Sequence, residues 1–269
     1  RNGFDVTYTT DVDMGMAVQT ITPANHRAMI SVGHDEYWSG TARTNFENAR
    51  NSGVHLAFFS GNEVYWKVRW EDNGRTLVCY KEGTMGENNC GGDCDPTDIW
   101  TGLWRDGDPA VYPGSDGGRP ENALTGQISW NPTVSSIQVP SEYRNLRFWR
   151  NTSVAALADG QTATMPYGTL GYEMDWEQYF DTYPAGRVTM SQTVEGGRTH
   201  KLSLYRQQQN NALVFGAGTV QWAWGLDGTH DGLVATPSLA MQQATLNLFA
   251  DMGVAPLSKQ SDLITPTSP

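Results

Sequence analysis

The sequence predicts an α/β fold built on a parallel sheet, and three stretches carry the prediction. Residues 27–33 (Arg-Ala-Met-Ile-Ser-Val-Gly) form a short apolar run closed by glycine. Residues 40–52 place Ala42, Phe46 and Ala49 at helical spacing and stop at Gly53, and residues 54–60 (Val-His-Leu-Ala-Phe-Phe-Ser) form a second continuous apolar run. Strand, helix and strand in this order read as a βαβ unit, and strands covered on both faces are apolar throughout rather than alternating.

The remaining elements follow in chain order. Residues 4–10 are β-branched and aromatic and read as a strand that stops at Asp11 and Asp13. From about residue 75 to 215 the pattern changes to a β-rich elaboration. Its short strands (Ser136–Val139, Leu146–Trp149, Arg187–Gln192, Lys201–Tyr205 and Ala212–Phe215) are separated by Gly, Pro, Asn and Asp. Helical spacing returns at Leu239–Met252 and ends at Gly253. One domain over residues 1–255 is expected, followed by a Ser/Thr/Pro-rich segment, 256–269, that reads as a linker to another module or a disordered end. A fold of this class opens with a buried strand and a helix that this sequence does not show. Both are therefore expected upstream of Arg1, in the same precursor or in another chain.

Composition bounds the partners. The net charge of the 269 residues is -11, and Lys67, Lys81, Lys201 and Lys259 are scattered, so no basic stripe exists to neutralise phosphates and nucleic acid is excluded as a partner. No apolar run reaches the roughly 18–20 residues that cross a bilayer. Cys90 and Cys94 flank a short Gly-Gly-Asp loop and read as a disulfide ahead of two free thiols. A zinc site would need two further soft ligands nearby, and the loop has no His. A disulfide implies an oxidising compartment. Cys79, in the strand-like Thr76–Tyr80, reads as a buried free thiol.

Ligands of open parallel sheets gather beyond the carboxyl ends of the strands. Two such ends are densely polar here: Gly33-His34-Asp35-Glu36-Tyr37-Trp38-Ser39 and Ser60-Gly61-Asn62-Glu63-Val64-Tyr65-Trp66. If the two strands are neighbours, an imidazole, a carboxylate, phenols and an amide converge in one crevice, a set able to bind a hard metal or run acid–base chemistry. Helix capping accounts for Asp35 or Ser39 and packing for Trp38 and Trp66. Capping does not require His, and Glu is a poor N-cap, so His34, Glu36 and Asn62 are the functional candidates. Ser60 lacks the flanking glycines of a nucleophile elbow. His26, His55, His200 and His230 show no partners in the sequence.

Those two clusters also carry a resemblance. Together with Tyr80-Lys81-Glu82, Thr101–Arg105, Arg119–Gly126, Phe148–Thr152, Gly171-Tyr172-Glu173-Met174-Asp175 and Gly216–Trp222, they resemble the C-terminal catalytic-type domain of the N,N-dimethylformamidase large subunit over nearly the whole chain before the tail. Bacterial surface proteins carry similar domains beside immunoglobulin-like modules. The resemblance implies a sheet arranged as in class I glutamine amidotransferases, a secreted or cell-surface location, and a mononuclear iron held by two tyrosines and a glutamate. It places the glutamate at Glu36, with His34 and Asn62 beside it to orient water or substrate. Its tyrosines fall upstream of Arg1, leaving Tyr37 and Tyr65 as the phenols available here. Glu173 is the candidate second acid, with a buried ion pair to an arginine such as Arg150 as the competing assignment.

The resulting expectation is a metal-dependent hydrolase-like domain acting on an amide carbon–nitrogen bond. Its rival is a non-catalytic module of a secreted multi-domain protein, binding a glycan. The expected partners are a small amide or glycan, with further modules or a second chain at the N-terminal edge and beyond the C-terminal segment.

Overall fold

Thr10 opens the first regular element. Its hydroxyl accepts the Asp13 amide while the Asp13 carboxylate accepts the Thr10 amide, a reciprocal cap that starts helix α1 (Asp11–Met16). The acids that were expected to end a strand therefore begin a helix, and residues 2–10 form no strand. The computed structural model describes residues 2–82, 95–97, 99–107, 115–128, 130–178, 181–230 and 236–267.

The first part of the chain runs β1 (Ala28–His34), β2 (Tyr37–Ser39), α2 (Gly40–Ser52), β3 (His55–Gly61), β4 (Trp66–Glu71) and β5 (Thr76–Val78). Then come α3 (Asn122–Thr125), β6 (Asn131–Ser135), β7 (Gln138–Pro140), β8 (Thr162–Thr164) and β9 (Leu170–Met174). The rest is β10 (Val188–Thr189), β11 (Thr193–Glu195), β12 (Arg198–His200), β13 (Ser203–Arg206), β14 (Leu213–Gly216) and α4 (Leu239–Asp251).

Among the described residues the largest sheet has five strands in the order β1-β3-β14-β13-β10. β3 lies at its heart and pairs in parallel with β1 and β14, whereas β13 and β10 join antiparallel. Side chains of β3 feed two cores. Ala57 and Phe59 enter one with Phe148, Phe215, Trp222 and the α4 residues Met241, Ala244 and Leu248. Leu56 and Phe58 enter the other with Trp38, Ala42, Phe46 and Trp104. Burial on both faces is why the β3 sequence shows no polar alternation. Ser39 caps α2, its Oγ accepting the Ala42 amide at 3.1 Å and donating to Gly15 O at 3.2 Å, and Gly53 at φ 105° ends that helix as its position predicts.

The expected parallel-sheet core, arranged as in class I glutamine amidotransferases, is not what forms. The described residues build small mixed and antiparallel sheets, and parallel pairing between strands is confined to β1–β3, β3–β14 and the short β2–β4 contact, with one isolated parallel bridge between Glu82 and Gly102. Connection length explains the difference. β13 and β14 are separated only by residues 207–212, too few for the crossover that a parallel pair requires, so the second strand folds back antiparallel. The pairs β6–β9, β7–β8 and β11–β12 are antiparallel as well. The stretch expected as a strand at Leu146–Trp149 winds into a 3₁₀ turn, Arg147–Trp149, that packs Phe148 and Trp149 inward.

Cys79 is a half-buried free thiol, and the Cys90–Cys94 pairing lies outside the described residues. Beyond Pro256, Leu257 N bonds Gly3 O at 2.9 Å, Ile264 exchanges two hydrogen bonds with the Gln243 amide, and Leu263 is buried. No described helix is long and apolar enough to cross a membrane. Replacing Ser39 by Ala removes the α2 cap; denaturant unfolding followed by circular dichroism is expected to show a loss of about 1 kcal/mol.

Candidate functional site

Parallel pairing sets the site. His34 at the end of β1 lies opposite Gly61 at the end of β3, so both strands release their chains at the same level of the sheet. The two reversals then bond to each other: Val64 N reaches Asp35 O at 3.0 Å, and Tyr65 N and Trp66 N both reach Glu36 O. Asn62 and Val64 hold positive φ of 49° and 57°, an unfavourable conformation for a β-branched residue such as Val64, here fully buried. Gly61 cannot be larger, because a Cβ there would lie 2.9 Å from the backbone of Thr219 and Val220.

The third wall comes from β9. Thr219, just past β14, is fully buried and ties β9 to the sheet. Its hydroxyl accepts the Gly171 amide at 2.9 Å and sits 3.1 Å from the carbonyls of Thr169 and Gly171, while its own amide donates to Ser60 O. Val220 N and Asp175 N continue the contact, to Glu173 O and Gly218 O.

This framework brings four predicted residues together. His34 Nε2 lies 2.8 Å from Glu173 Oε2 and 3.3 Å from Glu36 Oε2, and the Asn62 amide nitrogen donates to Glu173 Oε2 at 3.0 Å. The His34 side chain is 30% exposed and each glutamate 15%, so the cluster is partly exposed. Arg150, the competing partner for Glu173, is bound instead to Asp251 and Asn247 O. Sequence reasoning missed Tyr172, whose hydroxyl lies 2.9 Å from His34 Nδ1 with its ring edge-on to the imidazole. It stands beside Glu173 in a fragment that did carry a signal, but nothing in the sequence says that a side chain 138 residues away meets His34.

Electrostatics separates the acids. Burial, helped by the nearby Glu173, holds Glu36 above its ordinary value, while His34 pulls it back. Asp35, between the two site residues on the chain, is turned inward: it accepts Ser31 Oγ at 2.6 Å and Trp38 Nε1 at 2.8 Å, and burial raises it to about 6. It caps no helix; Ser39 does. Trp38 and Trp66 are buried packing residues. Ser60 is also buried, its hydroxyl accepting from Ser31 Oγ at 3.3 Å. His200 lies at the end of β12 and is buried, with Nε2 2.9 Å from Ala217 O, and burial lowers it to about 4.

The tyrosine candidates are engaged elsewhere. A hydrogen bond to Tyr37 raises Lys81, whose ammonium also lies over the Trp66 ring. Burial pushes the Tyr65 phenol up, away from the phenolate; its hydroxyl bonds Trp130, and Arg105 covers its ring. Among the described residues no three His, Cys, Asp or Glu side chains are grouped to hold a metal ion. Tyr37 and Tyr65 thus hold contacts of their own, to Lys81, Trp130 and Arg105.

Replacing Thr219 by Val keeps the shape and strands the Gly171 amide. Unfolding is expected to show a loss of about 1–3 kcal/mol, with weakened protection of the β9 amides in hydrogen exchange.

A family model described as N,N-dimethylformamidase beta subunit-like, C-terminal, matches residues 1–234. A search of the curated proteins finds no match to the chain.

Proposed function

The chain belongs to the N,N-dimethylformamidase beta subunit-like, C-terminal family, a hydrolase-related domain, and we propose that the cluster around His34 hydrolyses a carbon–nitrogen amide bond. The observation that carries this reading is an imidazole nitrogen held between two carboxylates, with Glu173 at 2.8 Å and Glu36 at 3.3 Å.

A nitrogen in that position carries its proton, because both neighbours are acceptors. In the neutral ring Nδ1 then accepts from the Tyr172 hydroxyl, which fixes the tautomer and the plane of the imidazole. Glu173 Oε2 receives N–H donors from His34 and Asn62, which orients the carboxylate and leaves Oε1 to accept from a water. As that water attacks the amide carbonyl carbon, Glu173 takes one of its protons and the carbonyl electrons move to oxygen. When the carbonyl re-forms and the carbon–nitrogen bond breaks, the departing amine needs a proton. Glu36, raised by burial, is the group placed to donate it. Exchange with solvent at the partly exposed cluster then removes the proton gained by Glu173 and returns one to Glu36. Amide and water are consumed; carboxylic acid and amine are formed.

A second reading has one observation in its favour. Tyr172 is 49% exposed at the mouth of the cluster, a flat surface on which a sugar ring could stack. It predicts binding without turnover.

Amine release from N,N-dimethylformamide and short N-alkyl amides separates the two. Turnover is expected, with kcat reduced about 10²–10⁴-fold in Glu173→Gln and KM nearly unchanged. Because Glu36 acts in its protonated form, kcat/KM is expected to fall on the alkaline side, at a pH above the ordinary carboxylate range. Absence of turnover on every amide, together with oligosaccharide binding lost in Tyr172→Ala, would establish the second reading instead.

A further inference from the structure

One polar atom of the cluster has no part in the chemistry proposed above. Asn62 is 3% exposed, and its side-chain nitrogen donates to Glu173 Oε2 at 3.0 Å. The oxygen of the same amide, Oδ1, is buried and meets no donor among the described residues. Its partner fixes which way the amide faces. The proposed base is ionised, and a carboxylate accepts hydrogen bonds without donating any. A flipped amide would set two oxygens against each other, so the nitrogen must face Glu173 and Oδ1 is the atom left over.

The donors of the cluster are already committed. The proton on His34 Nε2 lies between Glu173 and Glu36, and the Tyr172 hydroxyl lies 2.9 Å from His34 Nδ1. Asn62 is also tied in place. Its backbone amide donates to Asp175 Oδ1 at 2.9 Å, and its φ of 49° is a left-handed conformation that Asn adopts more readily than most residues. Turning Oδ1 elsewhere would release the nitrogen from Glu173. The oxygen is therefore held as an acceptor, on the same carbon as a nitrogen that rests on the proposed base. A buried acceptor without a donor is unfavourable, and a ligand that brings the donor relieves it on binding.

We propose that Asn62 Oδ1 determines specificity: it accepts the N–H of the substrate amide, so primary and secondary amides are preferred over N,N-dialkyl amides, which carry no N–H. The inference rests on the amide-hydrolysis reading and names the substrate class of that site. A secondary amide offers an N–H to Oδ1 and a carbonyl carbon to the water on Glu173. A tertiary amide of the same acid sets a methyl group against Oδ1 and leaves it unpaired. A site that hydrogen-bonds a substrate N–H rejects the analogue lacking it far more strongly than packing alone distinguishes one methyl group. The two ends of one side chain thus divide the work: the nitrogen orients the base and the oxygen reads the substrate.

The test is acetate release from N-methylacetamide, N,N-dimethylacetamide and methyl acetate, in the unmodified chain and in Asn62→Gly, since glycine keeps the φ of 49° without strain. The same substrates are compared in both proteins, so their intrinsic reactivities cancel. The preference in kcat/KM for N-methylacetamide over each of the other two is expected to fall about 10–100-fold in Asn62→Gly, beyond the general drop in kcat from freeing Glu173. Asn62→Asp keeps an acceptor and loses the donor; it is expected to lower kcat and retain the preference. An unchanged preference in Asn62→Gly would overturn the proposal and leave the oxygen to the attacking water. A fall against N,N-dimethylacetamide but not against methyl acetate, which matches N-methylacetamide in size, would overturn it too, because the cause is then room for a second methyl. Dissociation constants of the three compounds, from NMR titration of the unmodified chain, cover a variant that does not fold. N-methylacetamide is expected to bind about tenfold tighter or more, and equal constants would overturn the inference. No acetate from any of the three sinks the amide-hydrolysis reading by itself, and the constants then decide the role of Oδ1 alone.

Discussion

The register between β1 and β3 is the constraint on which the rest depends. With His34 level with Gly61, both chains leave the sheet together, and the carbonyls of Asp35 and Glu36 take up the amides of Val64, Tyr65 and Trp66. A one-residue slip would exchange the faces of a strand. Asp35, now held between Ser31 and Trp38, would turn toward solvent, and His34 and Glu36 would turn into a core with no partner for either. The apolar residues of β3 on both faces forbid that slip, because Leu56 and Phe58 pack in one core while Ala57 and Phe59 pack in the other.

The acids at this end of the sheet form two levels with different physics. Glu36 and Glu173 are partly solvated and face an imidazole. Asp35, Glu63 and Asp175 lie below, where burial favours the neutral form of each. Chain neighbours are split between the levels: Asp35 from His34 and Glu36, Glu63 from Asn62, and Asp175 from Glu173. A short polar run thus supplies both a partly solvated side chain of the cluster and a buried acid beside it.

Much of the site could be read before the fold was known. His34, Glu36 and Asn62 stood out because neither capping nor packing accounts for an imidazole and a glutamate at a strand end, and the resemblance to the N,N-dimethylformamidase family added Glu173. The architecture was less legible. The βαβ pattern over residues 27–60 describes one parallel pair, and nothing in local periodicity shows that β13 and β14 join the same sheet antiparallel. Residues 4–10 have strand composition but meet no strand partner, and Asp11 and Asp13 act through a helix cap that composition alone does not distinguish from a strand stop.

The sequence by itself determined which stretches must be buried and which strand ends are polar, because both follow from local composition and spacing. It could not determine that Tyr172 meets His34, that Thr219 joins β9 to the end of β3, or that Asn62 meets Glu173. Those partners are separated along the chain by 138, 48 and 111 residues. Only the order of strands in the folded sheet brings them within reach, and strand order is set by how the whole chain buries its apolar surface, a property no local window contains.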